Sequence, residues 1–372
     1  MLTKLFNLFS SSKTDSVKEI NYNKYQSILE YVPTNNNTIS KTYYSSSCLI
    51  NNISHFCSSQ SNKKFIVSLS GGVDSMVLIS IIHYLGYKVF GVHINYNNRE
   101  ETKLEQEFLE NWCAYNNIKL YVKNIENIKR VNSKRSDYEL IAKTIRLNFY
   151  REIMHKENVE ITLLGHHKDD IVENIFANVC RGRYILDLAV IKEKSLIDNI
   201  TIGRPMIDFY KTLIYDFAHK YQIPYFKDTT PDWSVRGKYR SKIYPIIEDA
   251  FSKNIKENLI GLSNQSYEWN QLVTNKIIEP FINNINFDSN SLEFDIEKHK
   301  NYPLCFWNVI FMNLFNKYGH GCPSRKAIQT FISTINKHTI KDSCRSYISI
   351  SNNCKCVLQN NKITITFNIS EF

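Results

Sequence analysis

No two cysteines in this chain are spaced as CxxC, no apolar run approaches the ~20 residues of a membrane-spanning helix, and no segment repeats. The nine cysteines are scattered. That distribution argues against a zinc or iron–sulfur site and, without an obvious secretory signal, against a disulfide framework. A soluble, cytoplasmic protein with reduced thiols is therefore expected. Cys354 and Cys356 sit one residue apart, as alternate residues of a strand would. Against these absences stands an excess of base over acid: 46 Lys and Arg face 36 Asp and Glu, a formal charge of +10 that favours a polyanionic partner such as nucleic acid. With 372 residues, 43% hydrophobic and 22% charged, the chain is long enough for two or three domains with a substantial core.

Residues 1–45 are polar, with the runs Ser10-Ser11-Ser12, Asn35-Asn36-Asn37 and Ser45-Ser46-Ser47 at or near them, and predict an irregular extension outside the fold. The short apolar stretch Met1 to Phe9 reads as a frayed terminus in preference to an organelle-targeting segment. From residue 46 helix and strand alternate. Helices are expected over 48–57, 75–85, 102–116 and 137–156, and strands over 65–69, 88–94, 120–122 and 161–164. This spacing predicts a parallel sheet covered on both faces, with its ligand at the carboxyl ends of the strands. The strand rhythm stops between Pro205 and Pro245, helices dominate from about 246 to 285, and a last unit of two helices and alternating strands starts near Ser291.

The run Phe65-Ile66-Val67-Ser68-Leu69-Ser70-Gly71-Gly72-Val73-Asp74-Ser75 reads as a buried strand, a glycine-rich turn and the start of an apolar helix. Two glycines let the backbone approach an anion closely, the serines add hydroxyls, and the helix aims its first amides at the same place. The Walker A lysine and spacing are missing, while Asp74 sets a carboxylate where it could help hold a divalent cation. A second run, Leu163-Leu164-Gly165-His166-His167-Lys168-Asp169-Asp170-Ile171-Val172-Glu173-Asn174, joins a strand end to a polar cluster and a helix. If that helix begins at Asp169 or Asp170, then Asp170 and Glu173 share a face, with both histidines on the loop before it. Such carboxylates can bind a cation or an amine, and a histidine there can contact phosphate or relay a proton. A plain N-cap role for Asp169 competes with this reading. A zinc site is disfavoured because the histidines lack helical i,i+4 spacing.

The SGGVDS window resembles the PP-loop of the N-type ATP pyrophosphatases, which split ATP between its α and β phosphates. Together with the second run it resembles one family among them, the tRNA(Ile)-lysidine synthetases, whose signature there is GHHxDDxxET. His93 to Arg99 is similar to the family's HVxHxLR, with Tyr96 in place of its second histidine, and Ala142 to Arg146 to its ARxxRY, with Lys143 and Leu147 as departures. Cys180-Arg181-Gly182, Arg204-Pro205-Met206, Asp228 and the run Arg236 to Arg240 ending at Pro245 continue the resemblance, with Gly237 for an asparagine and Asn174 for a hydroxyl residue. It covers residues 60–250 well, 290–340 faintly, and 1–45 not at all.

The resemblance implies an α/β fold: a parallel-sheet PP-loop catalytic domain over 46–245, a helical linker or tRNA-contact region over 246–289, and a small α+β domain over 290–372. It implies adenylation of the wobble cytidine of a tRNA, an isoleucine tRNA with a CAU anticodon, followed by displacement of AMP by free lysine, with ATP and Mg²⁺ as cofactors and a homodimer as a compatible state. ATP would lie against Ser70, Gly71, Gly72, Val73, Asp74 and Ser75, with His93, Arg146, Gly165, His166 and Arg181 beside it. Asp74, His167, Asp169, Asp170 and Glu173 would be catalytic, Asp169, Asp170 and Glu173 holding lysine; Asp74 and Asp170 would hold the metal; Arg204, Arg236 and Arg240 would meet tRNA. For each arginine an ion pair that fixes a loop is an equal alternative. Two rival functions remain: a PP-loop tRNA thiolase, which generally needs the CxxC absent here, and a non-catalytic RNA-binding homologue, which would have no need of Ser70, Asp74, Ser75 and Asp170.

Overall fold

A computed structural model of the chain describes residues 19–33, 47–97, 99–125, 135–188, 191–230, 234–252, 254–337 and 345–368. The chain forms two compact units, one of Met1–Ala177 with Val190–Ile260, the other of Asn178–Ala189 with Gly261–Phe372.

The first unit contains strands β1 (Leu29–Tyr31), β2 (Lys64–Ser68), β3 (Lys88–Asn95), β4 (Lys119–Asn124), β5 (Thr162–Leu163), β6 (Lys194–Ile197), β7 (Ile200–Gly203) and β8 (Tyr225–Phe226). Six of them form one sheet in the order β4-β3-β2-β5-β7-β6, parallel except for β6, which pairs antiparallel with β7. Helices α1 (Cys48–Ser58), α2 (Val73–Tyr84), α3 (Thr102–Tyr115), α4 (Arg135–Glu157), α5 (Lys168–Cys180) and α6 (Lys211–Lys220) alternate with the strands.

Strand side chains alternate between faces, so one strand feeds two cores. Phe65 and Val67 of β2 join α1, α2, α3 and α6 residues in one apolar cluster, while Ile66 between them joins Leu147, Tyr150 and Ile153 of α4 in another. Helix α2 is buried nearly all round, from Val73 to Ile82, which is why its sequence is apolar on every face. The chain leaves β2 toward β3 and β4, then returns to β5 on the other side of β2. The carboxyl end of β2 is thus the point where strand order reverses, and a ligand crevice opens there in such sheets.

The hairpin β6–β7 ends at Gly203, just ahead of Pro205, where the strand series is expected to stop, and the two-residue β8 beyond it does not join the six-stranded sheet. One expectation needs correction. Residues 19–33, placed outside the fold by composition, instead bury Ile20, Tyr25, Ile28 and Leu29 in the larger core and pair β1 with β8. The rest of that segment lies outside the described residues.

After β8 come α7 (Val235–Lys238), a π turn at Tyr239–Ile243 and α8 (Tyr244–Phe251). Helix α9 (Ile255–Val273) is followed by a second π turn at Thr274–Ile278 and α10 (Glu279–Asn283). In both cases a proline, Pro245 or Pro280, stands two residues beyond the π turn. A proline lacks the N–H and clashes with the carbonyl four residues back, and the widened turn absorbs both effects.

The second unit holds β9 (Asn286–Phe287), β10 (Ser291–Asp295), α11 (Leu304–Lys317), α12 (Arg325–Lys337), β11 (Ser346–Ile348), β12 (Cys354–Gln359) and β13 (Lys362–Phe367). Its antiparallel sheet, β11-β12-β13-β10-β9, packs Leu292, Leu358 and Ile365 against Trp307, Phe311 and Phe331 of α11 and α12. Cys354 and Cys356 are alternate residues of β12. Among the described residues, no helix is long and apolar enough to cross a membrane.

Candidate active site

The turn after β2 is shaped by its glycines and then locked by its serines. Gly71 has φ +83°, and a Cβ there would meet the Phe226 ring at 2.0 Å. Gly72 caps α2. The Ser70 amide donates to Ser75 Oγ at 3.2 Å, the Gly72 amide to Ser70 Oγ at 3.3 Å, and Ser75 Oγ donates to the Gly72 carbonyl at 3.0 Å. The first amides of α2, at Val73, Asp74 and Ser75, have no partner four residues back in their helix, which leaves them free for an anion.

The second run meets the first at Gly165. A Cβ on that residue would lie 2.9 Å from the Asp74 carbonyl carbon and 3.1 Å from the Ser75 nitrogen, so the two loops touch because residue 165 has no side chain. His167 follows, fully buried among three carboxylates: its Nε2 lies 3.7 Å from Asp74 and 3.5 Å from Asp170, its Nδ1 3.6 Å from Asp169. Neither ring nitrogen has a hydrogen-bond partner, nor does Asp74 Oδ1. Burial raises the Asp74 carboxyl above the usual carboxylate range, against the pull of His167 and Lys211. For Asp170 burial pushes the same way, but His167 and Arg236 prevail and hold it below that range.

Capping is present, and it is shared between the two adjacent aspartates. Asp170, at the third position of α5, accepts the His167 backbone amide at 3.1 Å, the acidic half of a capping box. Asp169 instead accepts the Lys211 amide at 2.8 Å and so serves the start of α6, not of its own helix. Its carboxyl lies below the usual range: burial opposes this, and the Lys211 amide and Lys256 ammonium outweigh it.

Asp170 and Glu173 do share a face of α5. Arg236 ion-pairs with Asp170 and reaches Glu173 at 2.8 Å, while Arg240 pairs with Glu173 and lies 3.5 Å from Asp170 and 3.3 Å from Asp228. Both arginines are therefore bound to carboxylates of the site, and Arg240 projects from the π turn. Arg204 is 6% exposed, which corrects its expected place on a tRNA-facing surface. Its Nε donates to His166 Nδ1 at 3.0 Å. His93 is buried on β3, with Nδ1 2.8 Å from the Leu69 carbonyl just ahead of the phosphate loop. Arg146 of α4 hydrogen-bonds Tyr96, the residue that stands in place of a histidine in the family pattern. Arg181 is exposed, just beyond the end of α5, and belongs to the second unit.

Several residues at the site carry no motif. Lys211 Nζ lies 3.9 Å from Asp74, and Lys256 ion-pairs with Asp169 while its ammonium sits 5.4 Å from the Tyr210 ring centre and 4.8 Å from that of Tyr244. Lys168 pairs with Glu257 at 3.2 Å. A cavity of about 680 Å³ opens here, lined by Asp169, Lys211 and Lys256 and reaching Glu173, Arg240 and Glu248.

A parallel sheet reversing at a glycine-rich loop, with a carboxylate–histidine loop against it, defines a phosphate-handling α/β site. The PP-loop domain family matches residues 46–246, more than half of the chain, and the chain belongs to that family. Membership implies use of ATP. The chain is similar to the tRNA(Ile)-lysidine synthase of Chlamydia felis (strain Fe/C-56), 27% identical over 258 residues, which cover 68% of this chain and 80% of that protein. It is also similar to the tRNA(Ile)-lysidine synthase of Bacteroides thetaiotaomicron, 28% identical over 221 residues, 58% of this chain and 50% of that one. Among solved structures, the U34-tRNA thiolase NcsA from Methanococcus maripaludis aligns with a TM-score of 0.47 at 15% identity, over 59% of this chain and 78% of that one.

Proposed function

We propose that this protein is an ATP-dependent tRNA-modifying ligase that adenylates the wobble cytidine of tRNA(Ile) and then joins lysine to it, forming lysidine, with release of pyrophosphate and AMP. The observation that carries the reading is the contact of Gly165 with Asp74 and Ser75, which sets a histidine–carboxylate cluster directly on a phosphate loop. Both halves of the reaction need that adjacency. In the first, the cytidine carbonyl oxygen attacks the α-phosphorus and pyrophosphate leaves. The loop amides and the nearby Lys211 ammonium stabilise the charge that develops on the phosphates. In the second, the lysine side-chain amine attacks the adenylated carbon and AMP departs. The amine arrives as an ammonium, so a carboxylate must first hold it and take its proton.

Asp169, Asp170 and Glu173 fit that task, and their present partners, Lys256, Arg236 and Arg240, mean that the pocket already accommodates cations. An incoming ammonium would displace one of them. Asp74 fits Mg²⁺: its Oδ1 is buried without a hydrogen-bond partner, and a hard carboxylate oxygen completed by phosphate oxygens is the donor set that this ion prefers. Asp170 fits less well, because its oxygens are already engaged by the His167 amide and Arg236. The metal would supply charge neutralisation on the phosphates. Arg236, Arg240 and the +10 net charge are the candidates for tRNA contact.

Mass spectrometry of nucleosides from tRNA(Ile) incubated with protein, ATP and lysine tests this directly. Lysidine that appears only when all three are present supports the reading. Unmodified cytidine despite pyrophosphate release would overturn the lysine assignment.

A further inference from the structure

We infer that residues 19–33, which lie ahead of the matched PP-loop domain at 46–246, are a positioning element for the phosphate loop. The link runs through β8. Its Phe226 donates its backbone N–H to the Gly71 carbonyl at 2.9 Å, and its ring fills the space that a side chain at Gly71 would take. The left-handed turn of the loop is thus held from below by one residue. Yet β8 has two residues and does not belong to the six-stranded sheet, and a strand that short has no stability of its own.

Its strand partner is the N-terminal segment. Leu29 pairs with Phe226 and Tyr31 with Tyr225, the Lys227 amide donates to the Ile28 carbonyl at 3.0 Å, and Lys227 Nζ donates to the Ser27 carbonyl at 2.9 Å. β8 is therefore clamped between the segment on one side and the phosphate loop on the other. The segment is in turn anchored to α3. Tyr25 is buried against Phe108, which also packs on Phe226, and its hydroxyl accepts from Asn111 at 2.7 Å, while Lys24 ion-pairs with Glu107. A chain of contacts thus connects α3, Tyr25, Leu29, Phe226 and Gly71, every step of which lies in the first unit. The segment touches no reacting group, so its effect is on where the loop amides stand.

The inference rests on the reading of residues 70–75 as the phosphate site, and two readouts keep the claims separable. The variants are Leu29→Ala and Tyr25→Phe in the full chain; the second keeps the ring packing and removes only the hydroxyl. Hydrogen exchange of the bonded amides of Ser70, Gly72 and Phe226 should quicken in both, with the sheet amides of β3 unchanged. In pyrophosphate release, kcat/KM for ATP should fall about three- to tenfold, less than the roughly hundredfold that a 1 Å misplacement of reacting groups can cost. Unchanged exchange at these amides in a folded Tyr25→Phe variant would overturn the inference, as would a lowered melting temperature at unchanged kcat/KM. If even the unaltered protein released no pyrophosphate, the functional reading would fall, and the exchange experiment would still decide the positioning role.

Discussion

Arg204 Nε donates to His166 Nδ1 at 3.0 Å, and that bond decides the tautomer of the imidazole. A guanidinium has donors only, so Nδ1 must present a lone pair and the ring proton must sit on Nε2. Arg204 is fixed in turn by Nη1, which donates to the Lys192 carbonyl and Ser195 Oγ, both at 2.8 Å. His166 is therefore a neutral hydrogen-bond donor on the loop beside the phosphate site, and it is unsuited to act as a base there.

The first prediction follows from that neutrality. Burial, reinforced by Arg204 and opposed by Asp170, brings the His166 pKa down to about 4. A histidine depressed in the folded state takes up its proton more readily when unfolded. Stability should therefore fall as pH drops from the ordinary value near 6.5 toward 4, and be complete above that window. In Arg204→Met the imidazole should titrate closer to its ordinary value and lose its fixed tautomer, both visible in its ¹⁵N shifts. A ring that stays locked on Nε2–H in that variant would contradict the assignment.

Gly165→Ala and Gly261→Ala should have opposite signs. The first drives a Cβ to 2.9 Å from the Asp74 backbone, which cannot swing away as a side chain would, so a loss of about 1–3 kcal/mol is expected. Gly261 lies inside α9 with nothing within 4 Å, where the added methyl should stabilise by about 0.5–1 kcal/mol. Chemical denaturation of the two variants checks the pair. Adenylation should drop in the first alone.

The parts of the site legible in the sequence are the local ones. SGGVDS and HHKDD each lie within one strand–turn–helix step, and the i,i+3 spacing of Asp170 and Glu173 is enough to put them on one face, where Arg236 and Arg240 meet both. Lys211, Lys256 and Tyr210 are not legible, because their relation to Asp74 and Asp169 exists only after α6 and α9 have packed. Asp169 meets the Lys211 amide 42 positions away and Lys256 87 positions away, separations that no spacing rule spans. Arg236 and Arg240 stand four apart on one helical run, which suits them to two carboxylates one turn apart, yet nothing in either run names the other as its partner. Residues 19–33 escape a sequence reading for a different reason. Their apolar residues, seven of fifteen, follow neither a helical nor a strand period, and those that are buried, Ile20, Tyr25, Ile28 and Leu29, join a core whose partners, α3 and β8, lie far away along the chain.

Asp74→Asn should leave the fold intact and lower adenylation by about a hundredfold or more, the usual scale for removing one preorganised electrostatic partner. The raised pKa adds a pH signature. Because burial favours the neutral acid, the charged form that the metal needs should be gained as pH rises through that raised value, and activity should climb with it. Pyrophosphate release across pH, compared between the two proteins, checks both. A variant that releases pyrophosphate at the unaltered rate removes Asp74 from the chemistry.

The last prediction turns on competition between arginine and lysine for the same carboxylates. Arg236 is half-exposed while its partners Asp170 and Glu173 are nearly buried, so the guanidinium can leave more easily than the carboxylates can move. If lysine takes its place, Arg236→Gln should lower the lysine concentration needed for half-maximal rate, whereas Asp170→Asn and Glu173→Gln should raise it by far more than they raise the ATP requirement. Adenylated tRNA should then accumulate in the two carboxylate variants, because the first half-reaction still runs. The opposite pattern, weakened ATP binding with normal lysine dependence, would assign Asp170 and Glu173 to the nucleotide and leave Asp169, with Lys256 as its displaceable partner, as the carboxylate that receives the amine.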